Sequence, residues 1–330
     1  MVDRPHKPSA ISPSSHAPQP TVDIVDNGRV RATLPSGESI EILLHGATVI
    51  SWKSNGVENL WLSEKAILDG SKPVRGGIPV VFPVFGPPPA NHATSALPQH
   101  GFARSSRWEF LGSSKSESDT PKSAGDDTVK LDFGLYSNGL DEKSKSAWPY
   151  EFGLVYSVTL SKDSLRTMIT IQNTGDKAFE FTTLLHSYFK IKDVHTARIA
   201  GLSASPYVDK VLKTDATQSE PFVSIPGTTD RVYYPPGGAS TILAICDASG
   251  ASSNPAGTPR FEISRDNMPD VVVWNPWKEG AEAMGDFAPK GDDPKGYRGM
   301  LCVEAGSVKE WVKLEGGESW EGGQVVKSLL

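Results

Sequence analysis

A histidine and a glutamate that could act as an acid–base pair close two separate runs of alternating residues. His186 ends the run Phe179–His186, on a face that it shares with the polar residues Glu180 and Thr182, and Glu304 ends the apolar run Met300–Glu304. A carboxylate at the end of an apolar strand is poorly solvated, and partial burial raises its pKa toward the range of a general base. Taken alone, each residue fits a structural role better: a hydrogen-bonded histidine at a strand end and an edge glutamate paired with a Lys or Arg.

Two arginine segments and one aspartate could bind an anionic or polyhydroxylated ligand. Arg75 precedes two glycines that allow close backbone approach, and Gln99, His100 and Arg104 fall within six residues. Arginine forks bind carboxylate, phosphate or vicinal hydroxyls at two points, and Asp230 could accept hydrogen bonds from hydroxyls. Solvated loop arginines, and a turn at Asp230, explain the same residues when each segment is taken alone.

Charge and missing motifs argue against several other classes of function. The formal charge is −6 at pH 7, which argues against nucleic acid or an anionic membrane as a bulk partner. The sequence holds no Walker loop, no GxGxxG after a strand, no HExxH and no CxxC, so nucleotide and zinc chemistry find no support. Cys246 and Cys302 cannot build a disulfide framework and are interpreted as reduced core thiols. We therefore expect no metal and no other cofactor.

Alternation with a period of two predicts the elements that carry these side chains. It is clearest in Phe152–Leu160, Leu165–Ile171 and Phe179–His186. Further short strands are predicted at Arg29–Leu34, Ser39–Leu44, Thr48–Lys53, Val129–Phe133, Thr241–Cys246, Val271–Trp274, Met300–Glu304 and Lys309–Leu314. Helical periodicity is nearly absent, apart from one short turn of helix predicted at Ser63–Asp69. The pattern predicts an all-β fold, a large antiparallel β-sandwich.

The rest of the chain divides into a tail, one domain and its loops. Residues 1–21 are rich in Pro, Ser and His and predict a disordered N-terminal tail, and residues 22–330 predict a single domain. Polar stretches at Ser113–Asp127, Ser137–Lys145 and Asp247–Pro259 predict long surface loops. The N-terminus shows neither a signal-peptide core nor a transit-peptide pattern, and no apolar stretch approaches the roughly 18 residues of a membrane span. We therefore expect a cytoplasmic protein.

Seven segments together resemble the aldose 1-epimerase superfamily, and within it the glucose-6-phosphate 1-epimerase branch. The segments are His45–Trp52, Arg75–Pro83, Gln99–Arg104, Leu184–Phe189, Thr229–Tyr233, Val273–Trp277 and Cys302–Gly306. They occur in the family's order and span nearly all of the predicted domain. Each segment is weakly specific alone, whereas the ordered set is strongly specific. Because no motif position is substituted, we expect an active enzyme.

The resemblance implies a β-supersandwich with the active site on the concave face of its larger sheet. It implies that the catalytic residues are His186 and Glu304 and that the substrate-binding residues are Arg75, Gln99, His100, Arg104 and Asp230. The implied reaction interconverts the α and β anomers of D-glucose 6-phosphate, with Glu304 as the ionised base and His186 as the protonated acid. We expect a small hexose 6-phosphate as the substrate, no nucleic-acid or membrane partner, and a monomer.

The sequence leaves two other functions open. The first is a mutarotase of unphosphorylated aldoses, against which the paired arginine segments favour a phosphorylated substrate. The second is a non-catalytic carbohydrate-binding protein, in which Phe85, Trp274 and Trp277 would stack on a sugar face. A non-catalytic binding protein, however, would give His186 and Glu304 no function as a pair.

Overall fold

Nearly every regular element of the protein is a strand, as the period-two pattern predicts. The computed structural model describes residues 18–26, 28–115, 128–250 and 254–329. Its strands are β1 (Thr21–Val25), β2 (Arg29–Thr33), β3 (Ser39–Leu43), β4 (Thr48–Ser54), β5 (Val57–Glu58), β6 (Val80–Val81), β7 (Glu109–Lys115), β8 (Val129–Tyr136), β9 (Phe152–Leu160), β10 (Ser164–Asn173), β11 (Phe179–Leu185), β12 (Tyr188–Lys190), β13 (Ala197–Ala200), β14 (Pro206–Asp209), β15 (Thr214–Thr217), β16 (Phe222–Ser224), β17 (Thr229–Tyr233), β18 (Leu243–Asp247), β19 (Thr258–Asp266), β20 (Asp270–Asn275), β21 (Met300–Leu314) and β22 (Ser319–Ser328). The helices are α1 (Glu142–Ala147) and α2 (Trp277–Ala283), with 3-10 turns at Ala103–Ser105, Ser137–Gly139, Gly238–Ser240 and Tyr297–Gly299.

The strands form three antiparallel sheets. The first has the order β1-β2-β3-β4-β5, and the second, of nine strands, has the order β16-β13-β18-β19-β22-β10-β9-β8-β7. The third has eight strands in the order β15-β14-β17-β20-β21-β11-β6, with β12 also paired to β21. This architecture confirms the predicted large antiparallel β-sandwich.

The two larger sheets pack face to face through alternate side chains. On β9, every second side chain from Phe152 to Leu160 is buried, as the alternation predicts. The ring of Phe82, directly after β6, lies 5.7 Å from the ring of Phe152 and 5.6 Å from that of Phe181 on β11. These rings join the nine-stranded sheet to the eight-stranded sheet, so burial of their apolar surface stabilises the sandwich.

Strand β21 corrects the sequence-based prediction of two separate strands. Met300–Glu304 and Lys309–Leu314 belong to one strand of 15 residues, which pairs with β11 along both halves. A β-bulge shifts the register between Phe181 and Thr183. Because a bulge changes which side chains share a face, the alternation breaks there although the strand continues.

The segments 63–69, 137–145 and 113–127 also differ from the helix and the loops that the sequence predicts there. Residues 63–69 form no helix, because the Ser63 hydroxyl donates to the Asp286 carbonyl at 2.7 Å and accepts from the Ala288 amide at 3.0 Å. Residues 137–145 contain a 3-10 turn and the start of α1, whose N-cap Asp141 accepts from the Ser144 amide. The first three residues of the predicted loop 113–127 belong to β7, and residues 116–127 lie outside the described residues.

The structure tests only a small part of the predicted N-terminal tail. Residues 1–17 of the expected tail lie outside the described residues, and β1 begins at Thr21. The division into a tail and one domain therefore stays a prediction. Neither helix of the described ranges has the length and apolar character that crossing a bilayer requires.

Candidate active site

One face of the eight-stranded sheet carries the predicted site, whereas the resemblance implied the larger sheet, which here has nine strands. Across β17, β20, β21 and β12, the residues Asp230, Trp274, Cys302 and Tyr188 lie opposite one another in successive pairs. Directly opposite residues in an antiparallel sheet share a face, and so do residues two apart on one strand. Glu304 therefore shares the face of Cys302, and groups far apart in sequence meet there.

His186 and Glu304 lie side by side on this face. Leu185 pairs with Ala305, so His186 falls opposite Glu304 in the same register. The His186 Nδ1 atom lies 3.3 Å from the Glu304 Oε1 atom. Glu304 is 1% exposed, and neither of its carboxylate oxygens has a hydrogen-bond partner in the described part of the chain. The structure thus brings together the acid–base pair that the sequence predicts, in a geometry suited to sharing a substrate.

Burial acts against the charged forms of both members of this pair. Burial raises the pKa of Glu304 well above its usual value, and the Asp230 charge adds to the rise, while Lys210 and Arg104 oppose it. Burial also lowers the pKa of His186 well below its usual value, with contributions from His100, Arg104 and Arg75. Burial thus disfavours the charged form of each group, whereas their 3.3 Å contact favours an ionised Glu304 beside a protonated His186, and that resting state stays a prediction. The charged pair (carboxylate and imidazolium) and the neutral pair (carboxylic acid and imidazole) each hold one titratable proton. The site therefore keeps the proton that acid–base transfer needs.

Aromatic rings fix the orientation of the His186 imidazole. Its ring stacks on Tyr188 with centroids 4.7 Å apart and an interplanar angle of 9°. Trp274 and His100 meet it edge-on at 6.1 and 5.9 Å. The Tyr188 hydroxyl in turn accepts a hydrogen bond from Arg75 Nη1 at 3.3 Å. Packing against these rings therefore holds the imidazole in a defined position.

Arg75 reaches the site from a tight backbone turn. Gly77 has a φ of +68°, and a Cβ at that position would lie 2.2 Å from the Val49 carbonyl oxygen. The glycines therefore permit the close approach that the sequence analysis predicts. The Arg75 Nε atom donates to Asp286 Oδ1 at 3.2 Å, in a half-buried ion pair that positions the guanidinium.

The segment Gln99–Arg104 contributes a neutral histidine and a second arginine. His100 Nδ1 accepts a hydrogen bond from the Gly86 amide at 3.2 Å, so Nε2 carries the ring proton. Burial, together with the charges of Arg104 and Lys210, lowers the pKa of His100 to about 3. Arg104 Nη2 donates to the Gln99 carbonyl at 3.0 Å. His100 is thus a neutral hydrogen-bond donor beside a fixed cation.

These groups line one cavity of about 430 Å³. The seven residues predicted from the sequence that line it are Arg75, Gln99, His100, Arg104, His186, Asp230 and Glu304. Phe85 and Trp274, considered for sugar stacking, also line it, whereas Trp277 packs against Tyr297 elsewhere. The sequence analysis missed Lys210 and Met284, because neither lies in a recognised motif or a predicted strand.

A group of possible metal ligands lies at the edge of the same cavity, which His186 and Glu304 line and the buried Cys302 does not. Ligand atoms of His186, Cys302 and Glu304 lie within 4.8 Å of one another. Three cationic side chains, those of Arg75, Arg104 and Lys210, line the cavity and would repel a divalent cation. The arrangement therefore suits an anionic organic ligand better than a metal ion.

Comparison with known proteins places this chain in a family of sugar epimerases. The family model described as aldose 1-epimerase matches residues 29–327, and the chain belongs to that family. A protein of Cenchrus ciliaris, named as a candidate glucose-6-phosphate 1-epimerase, is 34% identical over 287 residues, which are 86% of this chain and 79% of that protein. A protein of Escherichia coli with the same name is 31% identical over 295 residues, covering 88% and 84%. The crystal structure of a candidate mutarotase from Salmonella typhimurium superposes with a TM-score of 0.74 at 25% identity, covering 94% of each chain.

Proposed function

We propose that the protein interconverts the α and β anomers of a hexose 6-phosphate, with D-glucose 6-phosphate as the expected substrate. The observation that carries this proposal is the 3.3 Å contact between His186 and Glu304 in a cavity that three cations also line. Membership of the aldose 1-epimerase family supports the reaction class. The names of the relatives in Cenchrus ciliaris and Escherichia coli support the phosphorylated substrate.

The reaction opens the pyranose ring and closes it on the other face of the aldehyde. Glu304 removes the proton from the C1 hydroxyl while His186 gives a proton to the ring oxygen O5, and the C1–O5 bond breaks. The pair enters this step as carboxylate and imidazolium and leaves it as carboxylic acid and imidazole. Rotation about the C1–C2 bond and reversal of both transfers close the other anomer and restore the starting state.

Burial and the nearby cations act in opposite directions on the charge of Glu304. Desolvation favours the neutral pair that exists after ring opening. Arg104 and Lys210 act on Glu304 in the opposite sense and favour its carboxylate form. General acid–base catalysis is most effective when neither proton position is strongly preferred, and the opposing effects on Glu304 work in that direction.

The remaining cavity residues divide into phosphate-binding and hydroxyl-binding groups. We assign Arg75 and Arg104 to the phosphate, which carries nearly two negative charges and gains from paired guanidinium groups. Gln99 and Asp230 would bind sugar hydroxyls, and the Nε2–H group of His100 would donate to a ring or hydroxyl oxygen. A monomeric state and a cytoplasmic location remain predictions from the sequence.

Anomeric exchange measured by NMR tests the proposal. Exchange between the C1 signals of α- and β-D-glucose 6-phosphate should accelerate in proportion to protein concentration, and free glucose should respond much less. The matched control is Glu304→Gln, which keeps the side-chain volume. An exchange rate unchanged by the wild-type protein would refute the proposed reaction. Equal acceleration of glucose and glucose 6-phosphate would instead identify a mutarotase that does not select phosphate.

A further inference from the structure

Lys210 is fixed by the sheet beside the Asp230 carboxylate. Asp209 pairs with Arg231 across β14 and β17, so Lys210 falls opposite Asp230 in the same register. The Lys210 amide donates to the Asp230 carbonyl at 2.8 Å. Since directly opposite residues share a face, both side chains lie on the face that forms the cavity, and both line it.

In the described residues, the Lys210 ammonium group directly contacts the Phe85 ring and no carboxylate. Its Nζ atom lies 3.9 Å from the centroid of the Phe85 ring. In the described part of the chain it forms no ion pair within 4 Å, whereas Arg75 is paired with Asp286. The cation–π contact holds the flexible side chain in the cavity without neutralising its charge. The positive charge of Lys210 therefore remains available to the groups around it.

Two carboxylates in the cavity share this charge. Asp230 and Glu304 both face the cavity, and burial raises the pKa of each. Lys210 is the cation that most opposes the rise for both groups. The other titratable or charged groups around Glu304 are His186, His100, Cys302, Tyr188, Arg75 and Arg104. Among the cations, Arg75 lies on the Tyr188 and Asp286 side of the cavity.

We propose that Lys210 is a positioning residue for the proposed reaction, because its ammonium group is the counter-charge that the Asp230 and Glu304 carboxylates share. This inference rests on the proposed function, since it assigns Lys210 to the proton-transfer end of the cavity. Without the ammonium group, a proton on either carboxylate becomes more stable. The catalytic pair then takes up its second proton at a higher pH, and activity is lost from the acid side.

The experiment compares Lys210→Met, Lys210→Arg and a matched control, Lys309→Met. Lys309 is also a lysine above an aromatic ring, with Nζ 4.9 Å from the Tyr234 centroid, but it is exposed and does not line the cavity. Two measurements are made on each protein. The first is kcat/KM against pH for glucose 6-phosphate and for free glucose. The second is the titration of the side-chain carboxyl carbons of the free protein by 13C NMR.

In Lys210→Met, the acid limb of the kcat/KM profile should move up by about one pH unit, since that is the scale of a nearby charge at a half-buried site. Activity below the limb should fall about tenfold for both sugars and recover above it. The carboxyl titration should move in the same direction. Lys210→Arg should restore the wild-type profile, and Lys309→Met should not change it.

Two results would overturn the proposal. A loss confined to glucose 6-phosphate, with an unmoved acid limb, would make Lys210 a phosphate ligand instead. Unshifted carboxyl titrations in Lys210→Met would show that the ammonium group does not act on Asp230 and Glu304. The NMR titration needs no turnover, so a wild-type protein that fails to accelerate anomeric exchange would refute the proposed function and leave this second test intact.

Discussion

Glu304→Gln should abolish most of the activity and at the same time stabilise the protein. The substitution keeps the size of the side chain and removes both its charge and its basicity. Glu304 is 1% exposed, and its two oxygens have no hydrogen-bond partner in the described residues. The carboxylate is therefore placed for chemistry at a cost in stability, which is typical of active sites.

The expected loss of rate and the expected gain in stability follow from separate properties of the site. Loss of one positioned general base lowers the rate by about 10²–10⁴-fold, and His186 cannot replace Glu304 because it must deliver the second proton. Burying a polar group without a partner costs about 1–3 kcal/mol, and more when the group is charged. A gain of 1 kcal/mol raises Tm by about 2–4 °C in domains of roughly 150–250 residues, so a rise of a few degrees is expected at neutral pH.

The pH dependence gives the sign of the stability effect. Burial raises the pKa of Glu304 in the folded state, so the unfolded state ionises first as pH rises. Stability contributed by the neutral carboxyl is present below the unfolded pKa of about 4.3 and is lost as pH rises through the folded value. Glu304→Gln removes this loss, so its advantage should be present at pH 7 and should disappear near pH 4.

Calorimetry at pH 4 and pH 7 and exchange NMR with glucose 6-phosphate measure both effects on the same samples. The control is Glu310→Gln, a change at an exposed residue of the same strand, which should alter neither activity nor Tm. A lower Tm for Glu304→Gln at pH 7 would refute the reasoning, because it would show that the native carboxylate is stabilised by its surroundings. An unchanged exchange rate would show that Glu304 is not the base.

Three further outcomes are expected. Arg104→Ala should lower kcat/KM about 10–100-fold more for glucose 6-phosphate than for glucose, and equal losses in kinetic assays would remove Arg104 from phosphate binding. The double variant His186→Asn with Glu304→Gln should be no slower than the slower single variant, because the two residues act on one proton cycle; additive losses would contradict this. Phe82→Ala should lower the free energy of unfolding in urea by about 3–5 kcal/mol, and a change below 1 kcal/mol would contradict the packing between the two sheets.

The sequence predicts the parts of the site that lie in recognisable strands and motifs. Strand β9 matches its predicted bounds, Phe152–Leu160, because its alternation is uninterrupted and one face is buried. His186 and Glu304 were paired through the family resemblance, because each residue taken alone fits a structural role at a strand end better. Their separation along the chain, however, gives no distance, and only the register of β11 against β21 places them in contact.

Other features depend on tertiary structure that local patterns do not encode. The continuity of β21 is hidden because its bulge interrupts the alternation opposite Phe181 and Thr183. Lys210 follows a strand of four residues, which is too short for a period to be recognised. The protonation of His186 and Glu304 was predicted from their mutual attraction alone, whereas burial acts on both pKa values in the opposite sense. A sequence pattern indicates that a residue faces inward, and it does not measure how much water the site excludes.

An acidic protein can still be selective for an anion, because burial and not net charge sets the local potential. The chain carries a formal charge of −6, yet Arg75, Arg104 and Lys210 line one cavity. Arg75 is paired with Asp286, and in the described residues the other two cations form no ion pair. Charges in a half-buried cavity interact more strongly and are screened less by salt than the exposed acids that dominate the total. Under the proposed function, these local cations would therefore attract a phosphorylated sugar to the cavity although the chain as a whole is acidic.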